Sequence, residues 1–342
     1  MTEHAENQPL VAIVIPVYNG GDFLEETLAS VNAQTYRNLV ICFSDNASTD
    51  ATLQIIARAK VEGPFPVKLV THDELIPQAA NWNAALALVP DDAKYFRLLC
   101  ADDLIAPTAI EKMVALMEAE PSIGVTGSYC LNYGDRVDNT GLDPARERFS
   151  GAEAVRPFVL RTFDPIPPSH IMVRSTLKDF RAPNGFYDES RQVSHICTDV
   201  SIDLLQHCDF GMIHEPLGYV RIHEASVTQS VSGPAKREIA DWLTFIDRYG
   251  KTFFNEKELA DVRRRHLSHY YRRLLIWRLK GVPAKTLQVH IDGLKAKGYA
   301  PGLKGYALAV WDWALKRKPG PDAPPHPDVE ILPRVELHPF SA

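Results

Sequence analysis

The chain has no apolar run approaching the length of a membrane span, so no bilayer-crossing helix is expected. Cysteine is scarce and unpatterned. Five occur in 342 residues (Cys42, Cys100, Cys130, Cys197 and Cys208), none in CxxC spacing, and the number is odd. That argues against a zinc ribbon or a disulfide framework and fits a reducing compartment. The opening MTEHAENQPL lacks a basic start followed by an apolar stretch, so no secretory leader is expected and residues 1–9 are expected to be disordered. The GxGxxG of a dinucleotide site and the GKS/T of a P-loop are both missing. There is no internal repeat and no RNA- or DNA-binding motif. The expectation is a cytoplasmic protein that binds no nucleic acid.

Apolar residues make up 45% of the chain, enough for one large core and a smaller appendage. The net charge of −6 conceals an uneven distribution. Residues 1–235 carry 17 basic and 31 acidic side chains, a balance of −14, whereas residues 236–318 carry 19 and 8, a balance of +11. A basic segment behind an acidic domain suits an anionic partner, or equally the acidic domain itself.

Residues 10–130 alternate strand and helix signals. Leu10–Ile15, Leu39–Phe43 and Val67–Thr71 are predicted strands, as is the run YFRLL before Asp102. Asp22–Gln34, Asp50–Val61, Gln78–Leu88 and Pro107–Glu120 carry helical spacing, the second behind a Ser48–Thr49–Asp50 capping cluster. Repeated βαβ units predict an α/β fold with a mostly parallel sheet flanked by helices. Beyond strand Ile123–Leu131 the pattern loosens. A loop over 132–149, helix Gly151–Arg161, a rigid Pro165–Pro168 turn, strand His170–Val173, helix Ile196–Gln206 and strands Phe210–His214 and Leu217–Ile222 are predicted. Residues 236–249, 255–280, 284–297 and 303–317 form a basic helical extension, and the Pro-rich 319–342 an extended tail. The resulting divisions are 10–130, 131–232, 233–318 and 319–342.

In YFRLLCADDLIAP an apolar run ends in two adjacent carboxylates, Asp102 and Asp103, ahead of a helix signal. Paired acids at a strand end supply the hard oxygen ligands that Mg²⁺ or Mn²⁺ takes together with substrate phosphates. Helix capping is the alternative. Two earlier strand ends also carry polar chemistry. Pro16–Val17–Tyr18–Asn19–Gly20–Gly21 offers an aromatic ring on a tight turn. In Ser44–Asp45–Asn46–Ala47–Ser48–Thr49–Asp50, Asp45 can accept from a base imide N–H, or merely make an Asx turn.

Together these segments resemble the nucleotide-binding half of the inverting family 2 glycosyltransferases, which adopt the GT-A (Rossmann-like) fold. VAIVIPVYNGGDFLEETLASVNAQTY is similar to that family's opening strand–loop–helix, VICFSDNASTDAT to its second strand and turn, and AANWNAALAL with FRLLCADDLIAP to the helix and DxD-type motif. The resemblance spans residues 10–230. It implies that Pro16, Tyr18 and Asp45 hold the nucleotide base and that Asn19 is among the nucleotide-binding residues. Asn83 would reach the nucleotide or line its site, or instead be a buried helix-capping residue. The resemblance further implies that Asp102 contacts ribose or sugar and that Asp103 ligates Mn²⁺ or Mg²⁺. The family often carries a further acid where this chain has Cys100.

An inverting displacement needs one general base on the acceptor face. Asp199 aligns with the family's acidic residue, with Thr198 in place of a Glu. Asp203, one turn on, and the Asp188–Glu189 pair are fallbacks. The alternative for Asp199 is a helix-start acid stabilised by the dipole. Arg221 and His223 resemble the family's RxH motif, on one side of a strand, where they meet the diphosphate or the metal. The implied donor is a UDP-sugar or another nucleotide-sugar. The implied acceptor is a hydroxyl of a glycan or lipid-linked glycan in cell-surface polysaccharide synthesis. HYYRRLLIWRLKG and YALAVWDWALKRK interleave aromatic and basic residues, which suits peripheral attachment at the inner face of a membrane or a cap packed on the sheet domain. The competing class is an inactive nucleotide-binding scaffold or regulatory subunit.

Overall fold

The computed structural model describes residues 8–132, 136–138, 141–160, 170–191, 193–221, 223 and 235–314. The first seven residues, the Pro165–Pro168 turn and the Pro-rich tail lie outside these.

β1 (Val11–Val17) and β2 (Leu39–Asp45) are buried at every position. Alternate side chains therefore serve two cores. Val11, Ile13, Ile15 and Val17 enter one, Ala12 and Val14 the other. β3 (Val67–Thr71) is the partly exposed edge. β4 (Tyr95–Leu98) lies on the far side of β1, so the sheet begins β3-β2-β1-β4. All three pairings are parallel. The strand order reverses at β1, and in open α/β sheets the ligand crevice opens at that reversal, outside the carboxyl ends. Pro16 fits there at no cost to the ladder. Val14 faces β4, as the Leu99 N–H to Val14 carbonyl bond shows, so Pro16 does too, but β4 pairs with β1 only as far as Val14.

After β4 the prediction needs amending. A two-residue strand, β5 (Leu104–Ile105), intervenes before helix α4 (Ala109–Ala119), pairing antiparallel with the last strand. β6 (Ile123–Asn132) follows, and the predicted loop after it contains short strands β7 (Arg136–Asp138) and β8 (Arg148–Phe149). β9 (Met172–Arg174) inserts antiparallel between β4 and β6. The two strands expected after Phe210 are one, β10 (Asp209–Val220), with register shifts around Pro216. The extra residues lie on β10 to either side of Pro216, which itself stays opposite Tyr129, and pairing resumes beyond them. β10 stops at Val220, and Arg221 and His223 lie past the strand rather than on it.

Helices α1 (Leu24–Asn32), α2 (Thr52–Glu62), α3 (Gln78–Ala87), α5 (Gly151–Val159) and α6 (Ile196–Leu204) complete the sheet domain. The extension comprises α7 (Glu238–Phe253), α8 (Glu256–Leu279), α9 (Ala284–Ala296) and α10 (Leu303–Ala314). α7 is buried on two sides. Trp242, Phe245, Ile246, Tyr249 and Phe253 enter the core of the sheet domain, and Ile239 and Leu243 join Tyr270, Leu274, Trp277 and Leu294 in a small second core. The extension is thus docked on the sheet domain. No helix among the described residues is long and apolar enough to cross a membrane.

α5 opens with a Ser150–Glu153 capping box and presses its first residue on the end of α6. A Cβ on Gly151 would lie 1.7 Å from the Leu205 carbonyl oxygen. Gly151→Ala should therefore cost about 3 kcal/mol, because backbone blocks the relaxation that softens most overpacking. Urea unfolding of the full chain measures it.

Candidate active site

The turns after β1 and β2 are fastened to each other. Asn19 takes a left-handed φ of +48°, tolerated by Asn. Its N–H donates to Ser48 Oγ (2.8 Å) and its side-chain oxygen accepts from Thr49 N–H (2.9 Å). Gly20 N–H donates to Thr52 Oγ1 and Gly21 N–H to Asp50 Oδ2, each at 2.8 Å. Ser48 and Thr49 therefore do not cap α2 as predicted. They hold the Asn19 turn, and α2 starts behind Ala51. This leaves the Tyr18 ring 53% exposed at the tip, available for stacking.

Asp45 ends β2 beside Val17. Its Oδ2 accepts from Ser48 N–H at 3.1 Å, closing the Asx-type turn. Its Oδ1 is buried with no partner among the described residues. An orphaned carboxylate oxygen costs on the order of 1–3 kcal/mol, so an incoming N–H at this point gains that much.

The acid turn sits across the crevice, tied to α1 by Thr27 Oγ1 donating to the Ala101 carbonyl at 2.9 Å. Its two carboxylates differ in burial and in partners. Asp103 is buried, accepting from Arg221 N–H at 3.1 Å and lying 3.4 Å from His170 Nε2. Behind His170 stands Arg97, wholly buried in β4, with Nη2 3.2 Å from His170 Nδ1. Burial lowers the Arg97 pKa to about 10, which leaves it charged at neutral pH. The Arg97 guanidinium faces Nδ1, and Nε2 looks toward Asp103 without a hydrogen bond of its own among the described residues. Asp102 is more exposed and pairs with His223 Nε2 at 3.0 Å. Burial, then repulsion from Asp103, raises the Asp102 pKa against the pull of His223. Arg221 is held down, donating to the Asp102 carbonyl and to Glu26 and stacking on Phe23, while Phe23 also meets the His223 ring at 4.5 Å.

Donor atoms of Cys100, Asp102 and Asp103 lie within 4.8 Å of one another. Two carboxylates with His223 alongside fit a divalent cation, whereas the soft Cys100 sulfur is a poor ligand for Mg²⁺ or Mn²⁺.

Asn83 does not point into the crevice. Its amide grips the backbone of Tyr187 both ways, at 2.9 and 3.0 Å. Gly185, at φ +81°, must be glycine, since a Cβ there would lie 2.7 Å from the Asn83 amide nitrogen. The clamp seats Tyr187 near both Cys100 of the acid turn and Cys197 of α6. Both cysteines add to burial in pushing its pKa far up.

Asp199 is on α6, but it is not an open base. It is 1% exposed, with Oδ2 bonded to Arg181 at 2.9 Å and Oδ1 to Arg248 at 2.5 Å and Tyr249 Oη at 2.7 Å. Arg181 and Arg191 also bind Asp203, at 2.8 and 3.0 Å. Asp188 is engaged too, accepting from Ser190 and Asn184. The shell around Asp199 was missed from sequence because Arg248 and Tyr249 lie some fifty positions on; Arg97 carried a signal, an arginine inside an apolar strand. Arg181→Ala should destabilise the chain by about 3 kcal/mol, because the buried Asp199 and the partly buried Asp203 lose their most deeply buried counter-ion while Arg191 and Arg248 remain. Denaturant melts of the purified variant check this.

Residues 12–180 match Glycosyl transferase family 2. An uncharacterized glycosyltransferase of Rickettsia prowazekii is 33% identical over 261 residues, covering 71% of this chain and 73% of that protein. The chain spans only 38% and 61% of the lengths of two other relatives, in Haemophilus influenzae and Bacillus subtilis. Among solved structures, S. aureus TarS 1–349 in complex with UDP-GlcNAc superposes with a TM-score of 0.66 at 12% identity, over 90% of this chain and 92% of that one. A Pyrobaculum calidifontis mannosyltransferase in complex with GDP-Man and Mn²⁺ gives 0.54 at 17%, over 91% and 81%. The chain belongs to glycosyl transferase family 2 and has the GT-A fold.

Proposed function

We propose that this chain is a metal-dependent, inverting glycosyltransferase. It would move a sugar from a UDP-sugar, or another nucleotide-sugar, to a hydroxyl of a glycan or lipid-linked glycan. The observation that carries the reading is the unsatisfied, buried Asp45 Oδ1, at the same carboxyl edge of the parallel strands as the Asp102–Asp103 turn. A nucleobase imide N–H satisfies Asp45, the Tyr18 ring stacks on the base, and Pro16 and Asn19 shape the turn between them. Asp102, Asp103 and His223 would hold Mn²⁺ or Mg²⁺, which when bound supplies positive charge for the departing diphosphate. Of these, Asp102 is the more open carboxylate, and the cation-backed Asp103 fixes the turn from beneath. Arg221 supports the same turn through its backbone and guanidinium.

Asp199 is kept as the proton acceptor on the strength of its place on α6. Its shell would have to open on the Arg248 side, since Arg248 is 27% exposed and Arg181 3%. The closed shell equally favours the second reading, a nucleotide-binding scaffold without transfer. Peripheral membrane contact draws support from α10, where Leu303 and Trp311 are 91% and 62% exposed, two turns apart on one face.

Calorimetry with UDP and Mn²⁺ tests the site. Asp103→Ala should weaken Mn²⁺-dependent UDP binding by about tenfold or more, while Asp199→Ala keeps UDP affinity and abolishes transfer. Equal affinity in wild type and Asp103→Ala refutes the metal role. UDP release from a nucleotide-sugar panel separates enzyme from scaffold: wild type that binds UDP yet releases none is the scaffold.

A further inference from the structure

A cavity of about 470 Å³ lies away from the donor crevice, between α7 and α9 of the extension. That volume is within the range of small-ligand sites. Its lining combines two chemistries. Leu243 and Leu294 are buried in the small helical core and Val289 stands open at the side. Arg237, Lys285 and Lys297 bring three positive charges. Lys297 has a distant counter-ion, Asp247 at 3.8 Å. Arg237 and Lys285 have no ion-pair partner among the described residues.

The one carboxylate on the wall, Asp241, is already occupied. Its Oδ2 accepts from Ser194 N–H, His195 N–H and the His195 ring, at 2.9, 3.1 and 2.7 Å. Ser194 Oγ, beside it, is buried and lacks a partner among the described residues, a donor waiting for an acceptor. His290 accepts from Tyr270 Oη at 2.6 Å and donates to the Ala235 carbonyl at 3.1 Å, so it is neutral. Burial, and then the field of Arg237 and Lys236, holds its pKa below the ordinary value. The rim therefore presents two cations without an ion-pair partner among the described residues, Arg237 and Lys285, over an apolar floor, with Asp241 the one acid on the wall. Gly293 adds to this. It sits inside α9, where glycine costs about 1 kcal/mol against alanine, yet a Cβ there would meet nothing within 4 Å. No backbone contact demands glycine, and any larger side chain would project into the cavity it lines.

We propose that this cavity binds a phosphate ester carried on an apolar chain. The phosphate would be held by Arg237 and Lys285 with Ser194 Oγ, and the chain by Leu243, Val289 and Leu294. Such a group comes either from a free amphiphile, such as a lipid-linked acceptor, or from a bilayer phospholipid. As the acceptor side of the proposed transferase the inference rests on the glycosyl-transfer reading, but the binding is measured apart from it.

Dodecyl phosphate, kept below its micelle-forming concentration, is titrated calorimetrically into the full chain. One saturable site is expected. Inorganic phosphate and the uncharged amphiphile octyl glucoside should each bind about tenfold or more weaker. The exposed pair Arg237→Glu with Lys285→Glu should lose about tenfold or more by reversing the charge, and Gly293→Phe should do the same by filling the space. Both variants should keep wild-type UDP affinity, so a failure of this site is distinguishable from a failure at the donor crevice. Vesicles containing phosphatidylglycerol that displace the probe identify a bilayer lipid as the source, and vesicles that leave it bound identify a free amphiphile. Absence of saturable binding, or unchanged affinity in both variants, overturns the proposal.

Discussion

Everything at the donor crevice depends on β1 pairing in parallel with both β2 and β4. Parallel pairing on both sides puts three carboxyl ends at one edge, and with them the Tyr18 turn, Asp45 and the acid turn. Because β4 pairs only to Val14 while β1 runs on to Val17, the edge is notched there. A proline, which would break a ladder elsewhere, sits at the notch without loss. The polar groups converge because the hydrophobic alternation of two central strands leaves them nowhere else to emerge.

Two cross-loop devices make that convergence rigid. On one side Asn19 and Ser48 lock the first two turns together, so the exposed Tyr18 and the buried Asp45 keep a fixed relation. On the other, Arg97 and His170 form a buried column under Asp103. They hold Asp103 on the buried side of the turn, and its neighbour Asp102 is left as the more exposed of the pair. The Asn83 clamp does for the third wall what these do for the first two.

The βαβ order, the strand-end motifs and the helical extension were legible in the sequence because each is a local pattern of period two or 3.6. What local pattern cannot show is a partner far along the chain. Ser48 looks like a helix cap until Asn19 is seen to claim its hydroxyl. Asn83 looks like a ligand residue until Tyr187 arrives. Asp199 looks like an open helix-start acid until Arg248 and Tyr249 fold onto it from α7. Two strands were expected between Phe210 and Ile222, whereas extra residues bulged out of β10 on either side of Pro216 let one strand run through.

The two-sided burial of α7 has a mechanical consequence. One helix belongs to both cores, and it also grips Asp199 through Arg248 and Tyr249. There is no soft joint along it where the appendage could swing. The basic end of the molecule is consequently held at a set spacing from the sheet edge, so α7 acts as a spacer bar, and whatever docks on one end is gauged against the other.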